Sequence, residues 1–99
     1  MGGILNQFTF YANGATGSSL TFFETTVEKA CKLTLKQYWW NNGGWQQSVY
    51  SITITINGTQ VYQGAGFPIE VDIPANGVVA ISTDTGANNY YRKYEFTFE

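Results

Sequence analysis

Glu70 and Asp72 are the closest carboxylates in the sequence apart from the chain end, two positions apart in the run Ile69-Glu70-Val71-Asp72-Ile73. Two carboxylates across one cleft can hydrolyse a glycoside, one as acid and the other as base or nucleophile. Acidic residues alternating with apolar ones are also the ordinary solvated side of a strand, and here that reading is the stronger. The chain has no histidine, which removes the usual general base and the commonest metal ligand. Cys31, the sole cysteine, forms no internal disulfide. It falls on the apolar side of an alternating run, the place of a packed thiol rather than a nucleophile. Asp84, Thr85, Gly86, Asn88 and Asn89 offer oxygens to a calcium ion, but with a single carboxylate among them they read as a polar loop. Asn57-Gly58-Thr59 has the form of a glycosylation acceptor, yet a tight turn explains it fully. No glycine-rich phosphate loop opens a helix. These residues predict a protein without catalytic, metal or cofactor chemistry.

What the sequence concentrates is aromatic surface. Residues 38–47 read YWWNNGGWQQ and hold all three tryptophans around a turn of two asparagines and two glycines. With Asn42-Gly43 at the centre of a hairpin, Trp40 lies opposite Trp45 and Tyr38 opposite Gln47, and cross-strand partners share a face. Such a pair could simply brace the hairpin, for about 0.5–1.5 kcal/mol beyond its buried area. It could equally form a contact site, because tryptophan and tyrosine give large rigid area at low entropy cost. A flat indole also stacks on the apolar side of a sugar while Asn, Gln or Lys bonds its hydroxyls. Tyr38, Trp40, Trp45, Gln47 and Tyr62 are therefore the candidate contact residues.

Composition narrows the partner. In 99 residues, 43% are hydrophobic and 17% aromatic, enough for one folded domain spanning 1–99. Charged residues are 12%, about half the usual share, replaced by Thr, Asn, Gln, Ser and Gly. A net charge of −2 with no basic run gives no footprint for nucleic acid. No window approaches the roughly 18 apolar residues of a membrane span. The opening residues MGGILNQF carry no Sec-type signal, so the expectation is either use without Sec export, as in the cytosol or in a virion released by lysis, or a signal trimmed and replaced by a start Met.

The elements that must position these residues are strands throughout. Residues 7–11 and 20–23 are short and aromatic, and residues 24–29, the best helical candidate, carry a Thr-Thr-Val centre that argues against a helix. Residues 30–40 and 45–56 alternate cleanly, and Asn57-Gly58 turns the second into residues 59–63. Residues 69–73, 78–83 and 90–99 follow, with Tyr94, Phe96 and Phe98 on one side of the last. The expected fold is all-β: a small antiparallel sandwich or jelly roll of about eight strands. Extending both hairpins in one register makes residues 30–63 a three-stranded meander pairing Leu33 with Ile52, Cys31 with Ile54, Ile54 with Val61 and Thr53 with Tyr62. That register puts Leu33, Leu35, Tyr50, Ile52, Ile54 and Val61 in the core. It puts Tyr62 outside with Tyr38, Trp40 and Trp45, joined by Val49.

The function expected is a non-enzymatic binding or assembly module: a phage-like virion structural, decoration or attachment domain contacting other virion proteins, itself as a homo-oligomer, or cell-surface glycan. The alternative is a carbohydrate-binding module or small lectin. The virion or an extracellular surface is the expected location, with the cytoplasm open to a lectin.

Overall fold

The computed structural model describes residues 6–12, 19–47, 50–84 and 90–99. They form nine strands and no helix: β1 (Asn6–Ala12), β2 (Ser19–Thr26), β3 (Cys31–Asn41), β4 (Gly44–Gln47), β5 (Ile52–Ile56), β6 (Thr59–Gly64), β7 (Ile69–Ile73), β8 (Val78–Asp84) and β9 (Tyr90–Phe98). Loop residues 13–18 and 85–89, Val49 and the first five residues lie outside the described set, and with them most of the polar Asp84 loop.

Every pairing is antiparallel, and the strands divide between two sheets. Sheet I runs β1-β9-β3, and β3 then pairs with β7 along its first half and with β4 along its second. Sheet II runs β2-β8-β5-β6. With β4 set aside as an extension of the β3 hairpin, the facing orders β1-β9-β3-β7 and β2-β8-β5-β6 are those of a jelly roll, as the sequence predicts. The core is the meeting of the two inner sides: Leu33, Leu35, Ile69, Ile73, Tyr94 and Phe96 from sheet I, and Ile52, Ile54, Ile56, Val79 and Ile81 from sheet II. Alternation within each strand decides this, since residues two apart share a side.

The three-stranded meander does not form. Trp40 pairs with Trp45 and Tyr38 with Gln47 as expected, but the hairpin ends at Gln47. Leu33 instead pairs with Val71 and Phe98, and Cys31 with Ile73, while β5 crosses to sheet II. Leu33 and Ile52 are both buried, facing each other's sheets rather than lying side by side. The physical reason is at the crossover. Gln37, fully buried on the inner side of β3, donates from Nε2 to the Tyr50 carbonyl. Thr83 Oγ1 donates to the Ser51 carbonyl at 3.4 Å and accepts from Arg92 Nη1 at 3.2 Å. The Arg92 guanidinium lies 3.7 Å from the centre of the Tyr50 ring. Residues 50 and 51 are thus tied down from inside by hydrogen bonds to buried polar side chains, which fixes one chain path.

A second correction concerns β6. The Asn57-Gly58 turn forms with φ of 52° and 82°, as a type I′ turn requires. Ile56 pairs with Thr59 and Thr55 with Gln60, but a bulge then shifts the register so that Ile54 faces Tyr62 and Thr53 faces Gln63. The extra residue is Val61, which is 45% exposed instead of in the core. Tyr62 is turned inward against the core, its hydroxyl accepting the Gly66 N–H at 3.1 Å. Tyr62→Ala is accordingly expected to cost about 2–3 kcal/mol and Val61→Ala under about 0.5. Urea unfolding of the two variants checks this, and equal losses would contradict the bulge.

Another bulge, between Thr21 and Phe23, lets two consecutive phenylalanines pack inward. Phe22 stacks on Tyr94 at 4.3 Å and on Phe8 at 5.5 Å, and Phe23 meets Phe96 edge-on at 4.7 Å. These contacts close the sandwich along β2.

Candidate contact surface

The outer side of sheet I gathers the aromatic residues of the β3–β4 hairpin. Asn42 and Gly43 take positive φ, 50° and 84°, so the tight turn sets Trp40 against Trp45. The two indoles meet edge to face, with centroids 5.2 Å apart and planes at 76°. Trp40 remains 40% exposed, whereas Trp45 is half-buried. Trp39, on the opposite side of the strand, is half-buried and opposite Arg92 in the ladder.

Next to this pair, Tyr38 packs edge-on against Phe67 of the β6–β7 loop at 5.4 Å. Lys93 of β9 lies directly opposite Tyr38, and its ammonium sits 4.7 Å from the centre of the Tyr38 ring and 4.8 Å from that of Trp45. The same ammonium is 3.8 Å from a Glu95 carboxylate oxygen. Two π-faces and a carboxylate therefore hold one cation in place. Sequence reasoning missed Phe67, Lys93 and Tyr91. The last is 53% exposed and sits one position before Arg92, on the outer side of β9. All three lie far from the hairpin in sequence, and the signal that could have found Lys93 and Tyr91 is the β9 pleat, once β9 is paired with β3.

Of the five candidate residues, the structure brings together four: Tyr38, Trp40, Trp45 and the exposed Gln47, which pairs with Tyr38. Tyr62 does not join them, because the β6 bulge turns it inward, partly buried against the core. Further along the same outer side, Thr34, Lys36, Glu95, Phe96 and Thr97 line a groove of about 270 Å³. Glu70 and Asp72, both exposed, face Thr34 and Lys32 across the β3–β7 ladder, the position of a solvated edge. Cys31 is half-buried against the core. Among the described residues no three His, Cys, Asp or Glu side chains cluster as a metal site, and no helix is long and apolar enough to cross a membrane.

Two phenols are pushed above the ordinary value of 10.0. For Tyr38 the causes are burial first, then the charge of Glu95 and a hydrogen bond to it. For Tyr94 burial dominates, and the nearby Thr83 hydroxyl and Arg92 guanidinium oppose it without winning. A fold that favours the neutral phenol gains stability that is present in full below 10.0 and lost as pH climbs through the folded-state value. The urea midpoint is thus expected to hold steady to about pH 9 and to fall above about pH 10. Tyr94→Phe should flatten that fall, and an unchanged slope would contradict the assignment.

No family model matches the chain, and no curated protein or solved structure matches it either.

Proposed function

We infer that the protein is a non-enzymatic binding and assembly module, and that the aromatic end of the outer side of sheet I makes its contacts. The observation that carries this is the Trp40–Trp45 pair, open to solvent at Trp40 and set beside a fixed cation, Lys93. An indole that only braced a hairpin would need neither that exposure nor a neighbouring ordered ammonium. The absence of histidine from the sequence supports the non-enzymatic part.

The setting we propose is a virion surface, where a domain of this kind decorates a particle or attaches it to a host. Jelly rolls recur among capsid and lectin domains, an analogy of fold that raises this reading without fixing it. A sequence with 12% charged residues suits broad contact with neighbouring proteins or with further copies, since charge is costly to desolvate at the centre of an interface. The carbohydrate-binding reading draws on a separate observation, the groove beside Lys36 and Glu95. The two meet in a virion domain that binds host glycan.

The test compares wild type with Trp45→Ala for binding to purified particles, to host cells and to a glycan array. Loss of binding in the variant is expected. Equal binding on every target would end the proposal. Self-association is expected as well, because Trp40 and Tyr91, both at least 40% exposed, lie on the outer side of sheet I and net charge is only −2. Light scattering should show mass rising with concentration, and a strict monomer throughout would contradict it.

A further inference from the structure

We propose that the ligand of this surface is a neutral oligosaccharide, laid along β3 from the Trp40–Trp45 pair to the groove beside Lys36 and Glu95. The proposal rests on the reading of sheet I's outer side as the contact surface. Its support is the order in which chemistry changes along the strand. The Trp40–Trp45 pair comes first, then Tyr38 between Lys93 and Gln47, then Lys36 opposite Glu95, then Thr34 opposite Thr97. Six residues of strand separate the first row from the last, a track of about 20 Å. Such a track is long enough for several sugar rings in sequence.

A sugar ring presents C–H groups on its faces and hydroxyls around its rim. It therefore needs flat apolar rings next to groups that both donate and accept hydrogen bonds. The rows supply both: indole and phenol rings at one end, and ammonium, carboxylate and hydroxyl groups at the other. The core of a protein–protein interface has the opposite make-up, since charged residues are depleted there. Here Lys93, Lys36 and Glu95 occupy the middle of the surface. The polar groups are also partly ordered before any ligand arrives. Lys93 is fixed by Tyr38, Trp45 and Glu95, so less side-chain entropy is lost on binding.

Charge balance selects a neutral ligand. Across this side of sheet I, Lys32 faces Asp72, Lys36 faces Glu95, and Lys93 lies 3.8 Å from Glu95. Glu70 lies beside Thr34. A sulfated or uronic chain would run over Glu95 and Glu70, and a polyamine over Lys36 and Lys93. A neutral chain meets donors and acceptors in alternation without a repulsive step.

Calorimetry of the full chain with neutral manno-, gluco- and galacto-oligosaccharides, from disaccharide to hexasaccharide, tests this, with heparin fragments as the polyanion arm. For one neutral series, affinity should rise with length and level off near about four rings, the reach of the ~20 Å track. It should change little with salt, because no net charge is neutralised. Lys36→Ala and Glu95→Gln should each weaken the tetrasaccharide about tenfold, the loss of one hydrogen bond to a charged group, and leave the disaccharide nearly unchanged. Trp45→Ala should weaken both. Far-ultraviolet dichroism and thermal melts of each variant identify any that fail to fold, and Lys36, being exposed, gives a variant that should keep its fold. Absence of binding to every neutral series, or stronger and salt-sensitive binding to heparin, would overturn the proposal. If no sugar binds and Trp45→Ala still weakens particle binding, the oligosaccharide falls and the contact surface stands. If Trp45→Ala alters nothing, both fall.

Discussion

Leu35→Ala is expected to lower the free energy of unfolding by about 4 kcal/mol, near the upper end for a leucine truncated in a closed core. Leu35 is fully buried, and in the ladder it has Phe96 on one flank and Ile69 on the other, both at 2% exposure or less. Neighbours held in sheet on both sides cannot collapse into the vacated space, so most of the cavity persists. For a domain whose total stability falls in the usual range of about 5–15 kcal/mol, that is a large share. Thr34, one residue away, faces outward, and Thr34→Ala should cost no more than about 0.5 kcal/mol. Urea denaturation of both variants tests the inward and outward assignment of β3. Similar losses at the two positions would mean the strand is rotated.

Trp45→Ala is expected to weaken partner binding by about 2 kcal/mol or more, roughly thirtyfold, as the loss of an aromatic anchor does. Its effect on stability should be smaller. The pair with Trp40 contributes about 0.5–1.5 kcal/mol beyond its area, and Lys93 keeps Tyr38 and Glu95 as partners after the indole is gone. A structural tryptophan would show the reverse order, with stability falling further than affinity. Measuring both quantities on the same variant separates the roles.

Much of this protein is written locally, and that part is legible. The two asparagine–glycine turns, the alternation of β3, β5, β7 and β9, and the Trp40–Trp45 and Tyr38–Gln47 pairs follow from turn chemistry and the period of two. What failed is information that local pattern does not carry. The run 45–56 shifts phase at Val49-Tyr50, after the polar Gln46-Gln47-Ser48, but a phase shift alone does not say that β4 ends at Gln47 and β5 joins the other sheet. The clue was polar: Gln37 and Arg92 stand at inward positions of otherwise apolar faces, and both turn toward the crossover at Tyr50 and Ser51. The β6 bulge is equally silent in sequence, because Val61 and Tyr62 fit either side of a half-buried strand. One inserted position exchanges them, and with them the fifth candidate contact residue. Lys93 and Phe67 reach the aromatic cluster only through non-local packing.

The most direct measurement of the central claim is amide and side-chain chemical-shift mapping of the labelled protein during titration with the bound partner or oligosaccharide. The account predicts shifts confined to Tyr38, Trp40, Trp45, Lys93, Tyr91 and the Lys36–Glu95 groove, with Trp39 and the outer side of sheet II unmoved. Shifts centred instead on Thr53, Thr55 and Ser82 of sheet II, with the Trp40 and Trp45 indole signals unchanged, would contradict it.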